Sequence, residues 1–339
     1  MIIHKIALVT GSAGFVGFHL TNFLLSFGWK VIGLDAMTDY YDVNLKKDRL
    51  KLLYKNSNFF SYKGLVQDQK LLDEIYLKHE PNIIIHLAAQ AGVRYSIENP
   101  TSYVESNLIG TFQILEMARK YQPDHFLMAS TSSVYGGNED MPLHENQKCD
   151  TQMSFYAATK KSNEVMAHSY SHLFNIPTTI FRFFTVYGPW GRPDMALFKF
   201  TKNILSDKPI DVYNKGNMRR DFTYILDLVE AIYLLTSVIP LKVKERKDVI
   251  KNDSISNVAP FRIVNIGSSQ PINLLDYIKE LEKVLGKESK KNFLGMQDGD
   301  IKETHSNVDL LESLTGFRPK INVPEGIAEF VRWYKSYYL

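Results

Sequence analysis

The chain has 339 residues, in which 40 Lys and Arg face 37 Asp and Glu, for a formal net charge of +3. So even a balance excludes a dedicated nucleic-acid groove and an anionic-membrane surface. Apolar residues make up 45% and charged residues 23%, the usual mix of a soluble globular protein, and the length suits about two domains. The single cysteine, Cys149, excludes an internal disulfide framework and a thiolate metal centre, so no metal is expected. It also fits a reducing, cytoplasmic setting. Met1 to Thr10 is a short apolar run that meets Gly11 without the charged region and cleavage site of a secretory signal. No stretch approaches the eighteen or so apolar residues of a membrane span.

Runs rich in Ile and Val at Lys5 to Thr10, Lys30 to Asp35, Asn58 to Tyr62, Asn82 to Leu87, His125 to Ser130 and Thr178 to Phe183 alternate with longer amphipathic segments. Strands buried on both faces, with crossover helices between them, read in this way. The predicted fold class is α/β, a Rossmann-type doubly wound parallel sheet with a smaller C-terminal substrate-binding domain. After Pro189 the rhythm breaks. Helical segments at Met195 to Ser206, Ile225 to Ser237 and Leu274 to Leu285 alternate with short strands at Ile210 to Tyr213 and Arg262 to Ile266. The expected division is a first domain over 1–188 and a second, mainly ligand-binding one over 189–339, with later crossings of the chain. Leu241 to Pro260, charged and poor in apolar residues, is expected as a solvated loop on the second domain.

Gly11, Gly14 and Gly17, in T-G-S-A-G-F-V-G, follow the first strand and open a helix. A dinucleotide-binding turn requires that context: one glycine for the tight turn, one for backbone approach to a pyrophosphate, one for helix–sheet packing. The helix N-terminus then offers N–H groups and a positive dipole end to phosphate. Asp35 ends the second strand, where a carboxylate accepts from ribose hydroxyls and repels a 2′-phosphate, which favours NAD over NADP. Glycines serving only as turns are the plainer alternative.

Tyr156 and Lys160 stand four apart in Y-A-A-T-K, on one face of a predicted helix. A neighbouring ammonium together with a nicotinium ring above is expected to lower the phenol's pKa and make Tyr156 a proton acceptor. The pair follows the fifth strand, whose end carries Ser130, Thr131, Ser132 and Ser133. Capping is the simplest role for the serines, whereas Thr131 is expected to touch a substrate hydroxyl.

These residues resemble the extended short-chain dehydrogenase/reductase family, specifically its nucleotide-sugar epimerases. The resemblance runs over nearly the whole chain. Its most specific blocks are H-L-A-A-Q-A-G-V-R-Y-S from His86 to Ser96, S-T-S-S-V-Y-G from Ser130, Y-A-A-T-K-K from Tyr156, and R-F-F-T-V-Y-G-P-W-G-R-P-D-M-A-L-F from Arg182 to Phe198. They are most similar to UDP-glucuronate 4-epimerases. The resemblance implies a catalytic set of Thr131, Tyr156 and Lys160. It implies bound NAD lined by Gly11, Gly14, Phe15, Val16, Gly17, Asp35, Asp68, Leu87, Ala88 and Ala89, besides Tyr156 and Lys160. It also implies a UDP-sugar held by Thr131, Ser132, Ser133, Thr185, Arg192, Arg220 and Asp300, with Val212 to Asn214, Tyr213 among them, bordering the uracil through backbone. Arg94 is a further cation near the expected cleft. The implied reaction removes the C4 hydroxyl proton to Tyr156 and the C4 hydride to NAD, turns the 4-keto sugar, and reduces its other face. Arg220 suits a diphosphate because its planar fork engages two oxygens. Thr185 and Arg192 suit a C6 carboxylate, although Arg192 bracing its own turn is an open alternative.

Dehydratases and UDP-glucuronate decarboxylases of this family usually carry an acid just after the catalytic threonine, where this chain has Ser132 and Ser133. Three departures concern ligand contacts: Leu65 stands where an adenine-reading Asp is usual, Ala36 where Asn is usual, and Asp298 where Pro is usual. A UDP-N-acetylglucosamine or UDP-glucose 4-epimerase, and a non-catalytic NAD-sensing module, remain rival readings. The resemblance further implies a homodimer formed by Thr101 to Tyr121 and Ser154 to Phe174 in a four-helix bundle. Phe112, Leu115, Met166 and Tyr170 are candidates for its seam or for ordinary core.

Overall fold

The computed structural model describes residues 5–246 and 250–339. Met1 to His4 of the expected apolar run, and Lys247 to Val249 of the expected loop, lie outside the described residues. The first half alternates strand and helix: β1 (Ile6–Thr10), α1 (Phe15–Ser26), β2 (Lys30–Asp35), α2 (Val43–Leu53), β3 (Phe59–Lys63), α3 (Gln69–His79) and β4 (Ile83–His86). Two single turns, α4 (Tyr95–Glu98) and α5 (Pro100–Tyr103), lead through a π-helical stretch, Val104–Ile109, into α6 (Gly110–Tyr121). Then come β5 (His125–Thr131), α7 (Phe155–Phe174), β6 (Thr178–Phe183) and β7 (Thr185–Tyr187). The remaining elements are α8 (Ala196–Leu205), β8 (Ile210–Val212), β9 (Arg219–Tyr224), α9 (Ile225–Leu235), β10 (Phe261–Ile266), β11 (Pro271–Asn273), α10 (Leu274–Leu285), β12 (Lys291–Phe293), α11 (Asp309–Thr315) and α12 (Val323–Tyr338).

Seven strands pair in the order β10-β6-β5-β4-β1-β2-β3, every neighbouring pair parallel. Successive side chains of a strand point to opposite faces, and the two cores follow that alternation. Ala7, Val9, Ile83, Ile85 and Leu127 share one core with α1 and α9, while Leu8, Ile84, Phe126 and Met128 pack under α3, α6 and α7. This is why the strands read as unbroken apolar runs. The order reverses between β1 and β4, so the crossovers leaving these two strands cover opposite faces and a crevice opens above their carboxyl ends. Two small sheets, β11-β9-β7 and β12-β8, stand beside that crevice.

Three expectations are corrected. The strand expected at Arg262 to Ile266 in the second domain is instead the outermost strand of the large sheet, paired with β6 from Phe261 opposite Thr178 onward. The Leu241–Pro260 stretch is not simply solvated. Arg262 forks onto Asp253 at 2.9 and 3.0 Å, Arg246 donates to the Ser256 and Ala259 carbonyls at 2.6 Å each, and Ala259 is fully buried. Hydrogen bonds therefore strap this segment onto β10, which composition does not reveal. The helix expected from Thr101 to Tyr121 is interrupted by the π-helical stretch.

Behind the sheet's carboxyl edge, Arg182 donates to Glu164 through Nε and Nη2 at 2.9 Å each, and Ser130 donates to the same carboxylate at 2.6 Å. Both charged side chains are almost wholly buried. Glu164→Ala removes the compensation and strands a guanidinium in the core, so it is expected to lower the unfolding free energy by about 3–5 kcal/mol in chemical denaturation.

Candidate active site

A cleft of about 750 Å³ runs over the carboxyl ends of the large sheet to the small sheets. At its first end the chain turns sharply at Gly11, which has φ of +73°. A Cβ on Gly11 would meet Ala88 Cα at 3.0 Å, and one on Gly17 would meet the Gly11 carbonyl oxygen at 2.0 Å. Only glycine permits this approach of turn, helix and neighbouring strand. Helix α1 begins at Gly14 without a side-chain cap, which leaves its first N–H groups available to an anion. The Asp35 carboxylate accepts from Ala13 N at 3.0 Å and Met37 N at 2.8 Å, so it is fixed at the lip of the cleft. Phe15, Val16, Leu65, Leu87, Ala88 and Ala89 complete this wall. Glycine turn, uncapped helix and anchored carboxylate fit an NAD pyrophosphate and ribose. Asp68 is a correction: it caps α3, accepting from Leu71 N at 3.1 Å, and lies outside the cleft lining.

Tyr156, Lys160 and Thr131 line one stretch of the cleft. The first two sit on one face of α7, whose N-cap Ser154 accepts from Ala157 N, and Thr131 ends β5. The protein's own side chains do not lower the phenol below its ordinary value. Burial raises the Tyr156 pKa above its ordinary value, with the Thr131 hydroxyl and the Arg192 charge pulling it only part of the way back. Lys160 is itself buried, and this lowers its pKa to about 8, against the attraction of Glu164. Desolvation thus outweighs charge at both groups. The capping expected of the serines falls to Thr131, whose Oγ1 accepts from Ser133 N at 3.2 Å and donates to Ser133 Oγ at the same distance. Ser132 and Ser133 face the cleft.

The second half of the cleft gathers Arg94, Thr185, Arg192, Tyr213, Arg220 and Asp300. Arg220 donates to the Arg219 and Lys302 carbonyls at 3.0 Å and has no carboxylate in direct contact among the described residues. Arg94 crosses the cleft, stacked over the Tyr213 ring at 4.5 Å and paired with Asp300 at 3.3 Å. Asp221, beside Arg220, is buried and accepts from Ser268, Ser269 and Ser306, so its role is to tie three segments together. Arg192 donates to Asp194 through Nε at 3.0 Å and also through Nη2. Burial opposes that pair, yet each partner holds the other charged: Arg192 is raised and Asp194 lowered from its ordinary value. The alternation of β8 turns the Val212 side chain wholly into the core while Asp211 and Tyr213 line the cleft, so any contact of Val212 with a base is through its backbone.

Several residues here carry no signal in the sequence. Asn107 is swung inward by the π-helical stretch, donating to Gln90 O at 3.0 Å and Thr159 Oγ1 at 3.1 Å while accepting from Gln90 N at 2.8 Å. His86, buried between Thr10 and Thr111 hydroxyls at 2.8 and 3.2 Å, has its pKa lowered to about 3 by burial and then by Lys160, so it stays neutral. Asp194 was findable, standing two residues after Arg192 in R-P-D. Among the described residues there is no cluster suited to a metal ion and no helix long and apolar enough to cross a membrane.

Residues 7–243 match the NAD dependent epimerase/dehydratase family, and the chain belongs to that family. Over 331 residues it is 51% identical to a probable UDP-glucuronate 4-epimerase of Rhizobium meliloti (strain 1021), covering 98% of this chain and 97% of that one. It is 43% identical over 336 residues to UDP-glucuronate 4-epimerase 4 of Arabidopsis thaliana, covering 98% of this chain and 75% of the relative. The crystal structure of a UDP-glucuronic acid 4-epimerase from Bacillus cereus, in complex with UDP-glucuronic acid and NAD, matches with a TM-score of 0.88 at 33% identity, over 98% of this chain and 100% of that one.

The lowered Lys160 pKa has a signed consequence. Between about 8 and the ordinary 10.5 the unfolded chain holds a proton that the native chain has released, so this group makes stability rise with pH in that window. In Lys160→Met that contribution is absent. The stability difference between wild type and variant, followed by denaturant titration from pH 7.5 to 10, is expected to move towards wild type as pH rises.

Proposed function

We propose that the protein is a UDP-glucuronate 4-epimerase, interconverting UDP-glucuronate and UDP-galacturonate through a 4-keto sugar. One observation carries the reading: the Tyr156–Lys160 pair lies between a dinucleotide cradle and a sugar-side wall that offers Thr185 and Arg192, with Ser132 and Ser133 where eliminating relatives carry an acid. The named relatives support it. Bound in the cradle, NAD supplies reversible hydride exchange at C4 and a positive ring beside the phenol. Tyr156 takes the proton of the C4 hydroxyl and returns it after inversion. Burial raises the pKa of the phenol, so its basicity depends on positive charge joining Arg192 and Lys160 around it. Thr131 orients the C4 hydroxyl. Arg220 binds the diphosphate, and Tyr213 borders the uracil, with Arg94 and Asp300 closing over the nucleotide.

A 4-keto uronic acid is a β-keto acid and tends to lose CO₂. Ser132, Ser133 and Thr185 donate hydroxyls to its carboxylate, and Arg192 holds the charge in place. With no carboxylate at position 132 or 133, neither decarboxylation nor elimination has its acid or base. This is the feature that separates the reading from the family's other reactions.

The chain acts in the cytoplasm as a homodimer. Of the candidates open between seam and core, Leu115 is buried in the core and Met166 and Tyr170 pack against it, while Phe112 is exposed. The π-helical stretch with α6, and α7, present Ile109, Phe112, Val165 and Leu173 outward, each exposed by 41–62%. Four such helices from two copies bury this stripe. Val165→Glu with Leu173→Glu is expected to give a monomer in sedimentation.

Tyr156→Phe is expected to lower epimerisation by about three orders of magnitude while UDP binding, followed by calorimetry, is retained. In the wild type, deuterium placed at C4 of the sugar stays on the sugar through inversion. A substrate panel resolved by anion-exchange chromatography decides between sugars: turnover of UDP-glucose with none of UDP-glucuronate overturns the assignment.

A further inference from the structure

The turn that carries Arg192 is gripped from outside itself. Trp190 is a non-glycine residue with φ of +60°, a left-handed conformation that persists only where the surroundings impose it. Its ring packs on Phe18, Trp333 and Tyr337, with centroids 5.6, 5.4 and 5.0 Å away. Its carbonyl accepts from Arg49 Nη2 at 2.6 Å. The preceding carbonyl, that of Pro189, accepts from His19 Nε2 at 2.8 Å. Burial first, and Arg49 as well, lower the His19 pKa to about 4, so the ring is neutral, and a carbonyl partner requires the proton on Nε2.

Arg49 is fully buried on α2, and its other branch, Nη1, donates to the Ala13 carbonyl of the glycine loop and to the Tyr41 hydroxyl, both at 2.8 Å. Its Nε is buried without a partner. The fork is thus spent on carbonyls of two loops that bound the cleft, not on a carboxylate, and one rigid group spans from the dinucleotide cradle to the sugar wall. Lysine has no such reach, because its ammonium is a single point on a flexible stem.

We propose that Arg49, assisted by His19, is a positioning residue that sets the Trp190–Asp194 turn against the glycine loop and so fixes how Arg192 presents the sugar carboxylate. The inference rests on the functional reading above. Loss of CO₂ from the 4-keto sugar breaks the C5–C6 bond. The electron pair passes through C5 onto the C4 oxygen as an enolate, and C5 then takes a proton from water. That requires the C5–C6 bond to overlap the carbonyl π system. A carboxylate held with this bond near the carbonyl plane does not cleave, and a turn displaced by a fraction of an ångström loses that control.

The test uses NAD-loaded protein and UDP-glucuronate labelled at C6, and reads the ratio of CO₂ released to UDP-galacturonate formed. In Arg49→Lys the ratio is expected to rise about tenfold, equivalent to about 1.4 kcal/mol between the two barriers. His19→Leu raises it as well, whereas His19→Gln, which keeps a donor for Pro189, leaves it within about twofold of wild type. A role confined to stability lowers folded protein and total turnover but not the ratio, so an unchanged ratio in folded Arg49→Lys overturns the proposal. Should Arg49→Lys fail to fold, the two His19 variants decide, and equal ratios in both overturn it. Failure of the functional reading looks different, since wild type then forms no UDP-galacturonate.

Discussion

The reversal of strand order between β1 and β4 is the constraint on which everything else rests. Parallel strands all end on one edge, and where two neighbours send their crossovers to opposite faces, no helix covers that edge. The gap is filled by backbone: the Gly11 turn from β1 and the Leu87–Ala89 segment from β4, close enough that a Cβ on Gly11 would lie 3.0 Å from Ala88. The glycines are needed there because two backbones and a helix start share one small volume. Thr10 joins the two strand ends, its hydroxyl accepting from Leu87 N and Ala88 N. The crevice therefore has a rigid floor, and the catalytic side chains from β5 and α7 are set at a fixed height above it.

Burial, more than pairing, governs the charges gathered on that floor. The same desolvation raises a phenol and lowers an ammonium, and Tyr156 and Lys160 show the two directions side by side. Below them His86 is kept neutral, while Glu164 and Arg182 neutralise each other out of contact with solvent. The phenol is therefore the group whose charge depends most on its neighbours, because burial favours its neutral form. On the sugar side Arg192 stands differently, because Asp194 keeps it ionised despite burial. A paired guanidinium still has a free face, and the pairing fixes its plane.

The structure also shows how much of the sugar wall is assembled from distant chain. The Asp221 carboxylate gathers Ser268, Ser269 and Ser306 and so sets β9, on which Arg220 stands, against the segments from the chain's last quarter. Arg94, from the loop after β4, reaches Tyr213 and Asp300. The C-terminal helix α12 supplies Trp333 and Tyr337 to the packing of Trp190. The division expected at 188/189 is crossed repeatedly, since β10 returns to the large sheet and α9 packs with α1 in the same core.

By itself the sequence determined the parallel sheet, the dinucleotide turn and the pairing of Tyr156 with Lys160. Apolar periodicity, glycine spacing and an interval of four residues are local properties that act through nearby backbone. It did not show that Asp68 caps a helix, nor that the pleat of a two-stranded sheet turns the Val212 side chain inward, and it left Leu115 open between seam and core, where packing decides for the core. The inward swing of Asn107, the neutrality of His86, the reach of Arg49 between two loops and the direction of the Tyr156 shift were decided only by the tertiary structure. Each depends on desolvation or hydrogen bonding between groups far apart along the chain, and such energies exist only once folding has removed water from between them.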